Sequence, residues 1–172
     1  RRVIREPSSV DVAMTIREAD LYNKVTEQIY TFCKNRYGER RANFFVIIPQ
    51  RQLCSSIPAA VRRWQKLAGI DTEDEDTSVI ESVSGTSVEE VSQNTGTLTA
   101  ELAHISQELG SFKELKHNDS KYKVLINTLT KYWQDYPEKK VIVFAYYRDT
   151  LGYLKERLDE KGINSVLMMG GI

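Results

Sequence analysis

Tyr146, Tyr147 and Arg148 follow directly on an apolar run, Val141-Ile142-Val143-Phe144-Ala145, and directly precede an amphipathic stretch. If the run is a strand of a parallel sheet, the triplet lies at its carboxyl end, where ligands of α/β proteins collect. It also stands beside a helix N-terminus, whose free amides and dipole favour phosphate. The triplet is therefore a candidate contact for a phosphate-bearing ligand. The alternative is that the two tyrosines pack and Arg148 is solvated.

Other chemistry is excluded more easily. Phosphoryl transfer needs a glycine loop with its lysine, acidic magnesium ligands and an arginine finger. The sequence contains no G-x-x-x-x-G-K-[ST], and Gly170-Gly171 is not one. Cys33 and Cys54 have no close Cys or His at metal-ligand spacing, and Cys54 reads as a small core residue rather than a nucleophile. They fit a reducing compartment. His104 and His117 are isolated and suit surface or capping roles. The 172 residues carry a net charge of +0, so no global field draws the chain to a polyanion. No apolar run is long enough to span a membrane, and no signal peptide is visible.

The elements that must position the triplet read as a βαβ unit. Val141 to Ala145 has the continuous apolar character of a strand covered on both faces. Asp149 or Thr150 can cap a helix over Asp149 to Lys161 with a Leu151, Leu154, Leu158 stripe, and Gly162 fits the left-handed residue that ends it. Val166 to Met169 reads as the neighbouring parallel strand, reached by a right-handed crossover.

Before this unit the chain reads as helical. Thr15 and Glu18 form a capping box, followed by Leu21, Val25, Ile29 and Phe32 at helical spacing and by Gly38 as a stop. Tyr22 and Tyr30 lie on that helix as packing residues rather than base-stacking ones. A second helix covers Ala42 to Ser55, with a kink or break expected near Ile48 because of Pro49. Pro58 opens a third, with Ile57, Val61, Trp64 and Leu67 on one face and Arg62, Arg63 and Lys66 on the other. Those three cations suit either phosphate contact or a solvated face. Residues 69–97 form an acidic, low-apolar stretch that reads as a flexible insertion; a calcium loop there lacks its Gly and Glu at the required positions. Leu98, Leu102, Ile105, Leu109 and Phe112 then form a seam for a neighbouring helix or a partner. Asp119 or Ser120 caps a further helix with Leu125, Leu129 and Trp133 inward, and Tyr136-Pro137 ends it.

Four segments resemble, in order, those of Swi/Snf-type DNA-dependent ATPases of helicase superfamily two. They are Arg1-Arg2, the capping box with Leu21-Tyr22, the string Arg51-Gln52-Leu53-Cys54 followed by Pro58, and Asp119-Ser120-Lys121 leading to Val141 to Met169. The resemblance implies an α/β fold: a mostly helical region between two motor lobes, followed by an incomplete RecA-like parallel βαβ unit. Residues 1–68 would be the inter-lobe helices, 69–97 the insertion, 98–118 a further linker helix and 119–172 the truncated start of the second lobe. Both ends would be cuts through a longer protein. The parent would couple ATP hydrolysis to movement on duplex DNA, with ATP and magnesium held by residues outside this chain. Its partners would be DNA, through Tyr146, Tyr147 and Arg148, and the first RecA-like lobe. Ala145 replaces the family's usual serine, so a hydroxyl contact is lost there. Such a protein would be cytoplasmic or nucleoid-associated in a bacterium, nuclear in a eukaryote, and not secreted. The alternative function is a non-catalytic interaction module that uses the Leu98 to Phe112 seam.

Overall fold

The computed structural model describes residues 7–67, 98 and 100–169. The Arg1-Arg2 pair, the acidic insertion and Gly170-Gly171 lie outside the described residues. Helix α1 spans Ile16–Tyr37, α2 Glu39–Ser55 and α3 Ile57–Leu67. Helix α4 covers 100–107. Helices α5 (Phe112–His117), α6 (Ser120–Asp135) and α7 (Arg148–Glu160) complete the order.

The capping box forms as the sequence implies: Glu18 N donates to Thr15 Oγ1 at 3.2 Å, and Thr15 N donates to Glu18 Oε2 at 2.7 Å. Gly38, at φ 81°, both ends α1 and begins α2, a conformation that strains any residue with a Cβ. Helix α2 runs without interruption through Pro49 rather than breaking near Ile48. Pro49 is fully buried, so packing around its ring accompanies the missing backbone donor.

One core joins the first five helices. Leu21, Val25, Ile29 and Cys33 of α1 meet Ala42, Val46 and Leu53 of α2 and Ile57, Ala60, Val61 and Trp64 of α3. Leu102 and Ile105 of α4, with Leu98, Leu109 and Leu115, close it. The Leu98 to Leu109 seam is thus filled by the chain's own helices. Tyr22, Tyr30 and Phe32 are partly buried against this core, which makes the two tyrosines packing residues as expected. Cys33 takes the fully buried place that the pattern gave to Phe32. Cys54 is exposed, contrary to its reading as a core residue. It is the penultimate residue of α2, one position past the buried Leu53.

The α/β assignment is overturned. The described residues contain helices and no strand. Val141 to Ala145 and Val166 to Met169 form neither strand nor bridge, and neither is covered on both faces: Phe144 and Val166 are each 89% exposed. A parallel strand needs a ladder partner and cover on both faces. Helix α7 supplies no such cover, because it turns a different face inward. Its buried residues are Thr150, Tyr153 and Leu158, while Leu151 and Leu154 are only half-buried. Gly162 does end α7 as expected. At φ 70° it lets its own N–H reach Asp159 O and the Ile163 N–H reach Leu158 O, each at 2.9 Å, the paired bonds of a Schellman turn.

Candidate nucleic-acid interface

The polar groups that fix α6 and α7 on the helical core converge on Asp119, the N-cap of α6. Asp119 is buried; its Oδ1 accepts from Tyr122 N at 2.9 Å and its Oδ2 from Tyr153 OH at 2.7 Å. The Tyr153 oxygen also accepts from Arg157 at 2.7 Å, and Arg157 donates to the Lys116 carbonyl at 2.6 Å. The Arg157 guanidinium lies 3.9 Å from the centre of the Tyr122 ring, and the Tyr122 hydroxyl donates to the Arg157 carbonyl at 2.8 Å. Burial, reinforced by the Asp119 charge, pushes the Tyr153 phenol far above the usual tyrosine range. The phenol therefore stays protonated at neutral pH and serves as a hydrogen-bond donor, not as an acid–base group.

Glu18 extends this node to α1. Besides its capping box, its Oε1 accepts from Ser120 N at 2.9 Å, so one carboxylate serves the N-termini of two helices. Burial pushes the Glu18 carboxyl up, but the amide donors of Ser120 and Thr15 outweigh it and hold it below the ordinary range. Lys121 Nζ donates to Cys54 O at 2.6 Å, and the Ser55 and Thr150 hydroxyls lie 2.9 Å apart. Thr150 and Asp149 are thereby committed to tertiary contacts. Helix α7 begins at Arg148 with Tyr147 as N-cap and no side-chain cap, not with the Asp149 or Thr150 cap expected from sequence.

Helix α7 meets α3 and α5 through charge. Arg62 pairs with Glu156 at 2.7 Å and Arg63 with Asp149 at 2.5 Å. Lys116 pairs with Glu156 at 2.7 Å and also with Glu160. Burial raises the Glu156 carboxyl, but hydrogen bonds from Lys116 and Arg62 outweigh this and leave it lowered. Lys116 is disfavoured by burial, yet its two carboxylate partners raise it overall. Arg62 and Arg63 thus answer neither to the solvated-face reading nor to a free phosphate contact; they are interhelical partners.

The three residues singled out at the start lie beside this contact. Tyr146 is 82% exposed, and its ring stands edge-on to Tyr147 at 5.0 Å. The Arg51 guanidinium lies 5.7 Å from the Tyr146 ring centre. Tyr147 is half-buried, and burial raises its phenol although Arg51 and Arg63 oppose the rise. Arg148 is exposed in the first turn of α7. The structure brings Arg51, near the end of α2 where the Arg51 to Pro58 string begins, to this group. An exposed tyrosine with a guanidinium beside its ring can stack on a base and hold a phosphate, without performing a covalent step.

Sequence reading missed Tyr153, Arg157, Lys116 and Glu156. The available signal was the heptad spacing of Asp149 and Glu156 on α7, set against the Arg62-Arg63 pair on α3. Both histidines are exposed, and among the described residues no group of three His, Cys, Asp or Glu side chains could hold a metal ion. Among the described residues no helix is long and apolar enough to cross a membrane. No family model matches the chain, and no curated protein and no solved structure is similar to it.

Proposed function

We propose that the chain is the connecting part of a Swi/Snf-type, ATP-dependent DNA translocase, a helical block set between the nucleotide-hydrolysing lobe and the part that grips DNA. The observation that supports this reading is a convergence. Three segments that resemble the family, far apart in sequence, are tied together: Glu18 to Ser120, Cys54 to Lys121, and Ser55 to Thr150. A block that transmits motion needs such cross-ties between the elements it joins. The RecA-like βαβ unit is no part of the proposal.

In this reading ATP and magnesium belong to the whole enzyme and duplex DNA is its track. Arg51, Tyr146, Tyr147 and Arg148 contribute a contact to the DNA backbone. The chain lacks a phosphate-cradling loop, so by itself it turns over no ATP. The test is ATP hydrolysis by the whole polypeptide that carries these residues, with and without duplex DNA. The expected result is hydrolysis stimulated by DNA, reduced when Arg51 and Arg148 are both changed to Ala. Hydrolysis indifferent to DNA, or ATPase activity in the 172-residue chain alone, overturns the reading.

A further inference from the structure

We propose that α7 is an electrostatic clasp that covers a phosphate-binding face of α3, so that its release hands Arg62 and Arg63 to the backbone of a DNA duplex. Arg62 and Arg63 are adjacent on α3, and Lys66 follows within a turn. The Arg62 guanidinium is held over the Phe112 ring, 4.8 Å from its centre, which fixes it on α3 while its Nη1 donates to Glu156. The groups now in front of these arginines are the carboxylates of Glu156 and Asp149, each offering the oxygens that a phosphate would offer. The pairing is half-open to water, with side-chain exposures of 28% and 37% for Arg62 and Glu156. Competing anions can therefore reach the pair, whose carboxylate Lys116 shares.

The flanks of α7 point the same way. The segments on either side of it, 141–146 and 163–169, carry exposed apolar side chains and no strand pairing. What fixes α7 is therefore the charge contact, the Ser55–Thr150 hydrogen bond and the Asp119–Tyr153–Arg157 node, rather than a broad apolar seat. A contact of mixed polarity between separately packed parts is where relative motion is expected. The inference rests on the preceding reading only for the identity of the ligand, DNA.

Two measurements on the full chain separate the parts of the proposal. Amide hydrogen exchange is followed as salt rises from about 50 to about 500 mM, which shortens electrostatic reach severalfold. Residues 148–160 should lose protection while 21–33 of α1 keep theirs; unchanged protection of α7 overturns the clasp whether or not DNA binds. The second measurement is binding of a short fluorescent DNA duplex at fixed low salt to the chain carrying D149N and E156Q. Affinity should rise about tenfold, the equivalent of ~1.4 kcal/mol, and adding R62Q and R63Q should abolish the gain. Exchange shows whether α7 is released in the variant. Release without a gain in affinity overturns the phosphate face, and a gain that survives R62Q and R63Q assigns the binding to other cations and overturns it equally.

Discussion

Ile29 and Phe144 are both large apolar residues in stretches that a pattern reading buries, yet Ile29 is fully buried in α1 and Phe144 is 89% exposed. The contrast extends to the regions around them. From α1 to α5, apolar side chains face inward and charged pairs such as Lys24–Glu108 lie at the rim. From Tyr136 to Met169 the balance shifts: α7 buries Tyr153 and Leu158, but its contact with the rest of the molecule is rich in charge and hydroxyl groups, and the large apolar side chains of the runs on either side of it, such as Ile142, Phe144, Val166 and Met168, are outside. The difference follows from period. A helix needs one stripe of cover, which its neighbours in sequence supply through short turns. An extended run apolar on both faces needs two layers and a ladder partner, and the described residues bring it neither.

The largest effect should come from the first region. Trp64→Ala removes a side chain that is 1% exposed and whose Nε1 donates to Gln52 Oε1 at 2.9 Å. The expected cost is about 3–5 kcal/mol, read as a lower denaturant midpoint for the whole helical block. A loss below about 1 kcal/mol would mean that the core is loosely packed and that the two regions do not differ. Next comes the polar contact that fixes α7. Tyr153→Phe keeps the ring and deletes the hydroxyl, leaving Asp119 Oδ2 without its 2.7 Å donor. A cost of about 1–3 kcal/mol is expected for a buried carboxylate stripped of one partner. If α7 instead sits on an apolar seat, the change will be close to neutral.

The helical region was legible because each signal was local. The Thr15 to Glu18 box, Gly38, Asp119 as a cap and Gly162 as a stop all depend on residues within a few positions of one another, and all formed. The strands were not legible as pairs, because an apolar run states what cover it needs and not whether cover is present. The site was half visible. Tyr146, Tyr147 and Arg148 stand out in sequence, but their neighbour Arg51 is brought to them only by the packing of α2. Asp149 and Thr150 look like helix caps until Arg63 and Ser55 are placed opposite them. Tyr153 reads as one aromatic among several until Asp119 is seen beneath its hydroxyl.

Acid provides a finer probe of the same contrast, because charge holds more of the contact of α6 and α7 than of the packing of α2 on α1 and α3. The Glu18 and Glu156 carboxyls are both held below their ordinary range in the folded chain. A lowered carboxyl contributes stability that is complete above its unfolded value and is lost as pH falls through its folded one. Amides of α6 and α7 should therefore lose protection as pH drops below the ordinary glutamate range, ahead of those of α2. Glu18→Gln should flatten that dependence at the start of α6, and Glu156→Gln along α7. Lys116 is raised and acts at the other end of the scale: its contribution is complete below the ordinary lysine value and is lost as pH rises through the folded one. Equal acid sensitivity in α2 and α7 would remove the electrostatic distinction.

The smallest effect on folding should be that of Phe144→Ala. At 89% exposure, Phe144 has little apolar area hidden from water to lose, and a surface change away from caps and networks stays within about 0.5 kcal/mol. Its neighbours Ile142 and Tyr146 are also exposed, so the unpaired run offers backbone donors and acceptors next to apolar side chains. Such an edge favours pairing with another chain. The substitution should therefore leave the denaturant midpoint where it is while reducing any concentration-dependent increase in mass measured by light scattering. The informative failure is a cost above about 2 kcal/mol, the range of a buried aromatic. That result would place Phe144 in a core in solution and give the run the cover it lacks here. The difference between the two regions would then disappear, because the second would bury its apolar residues as the first does.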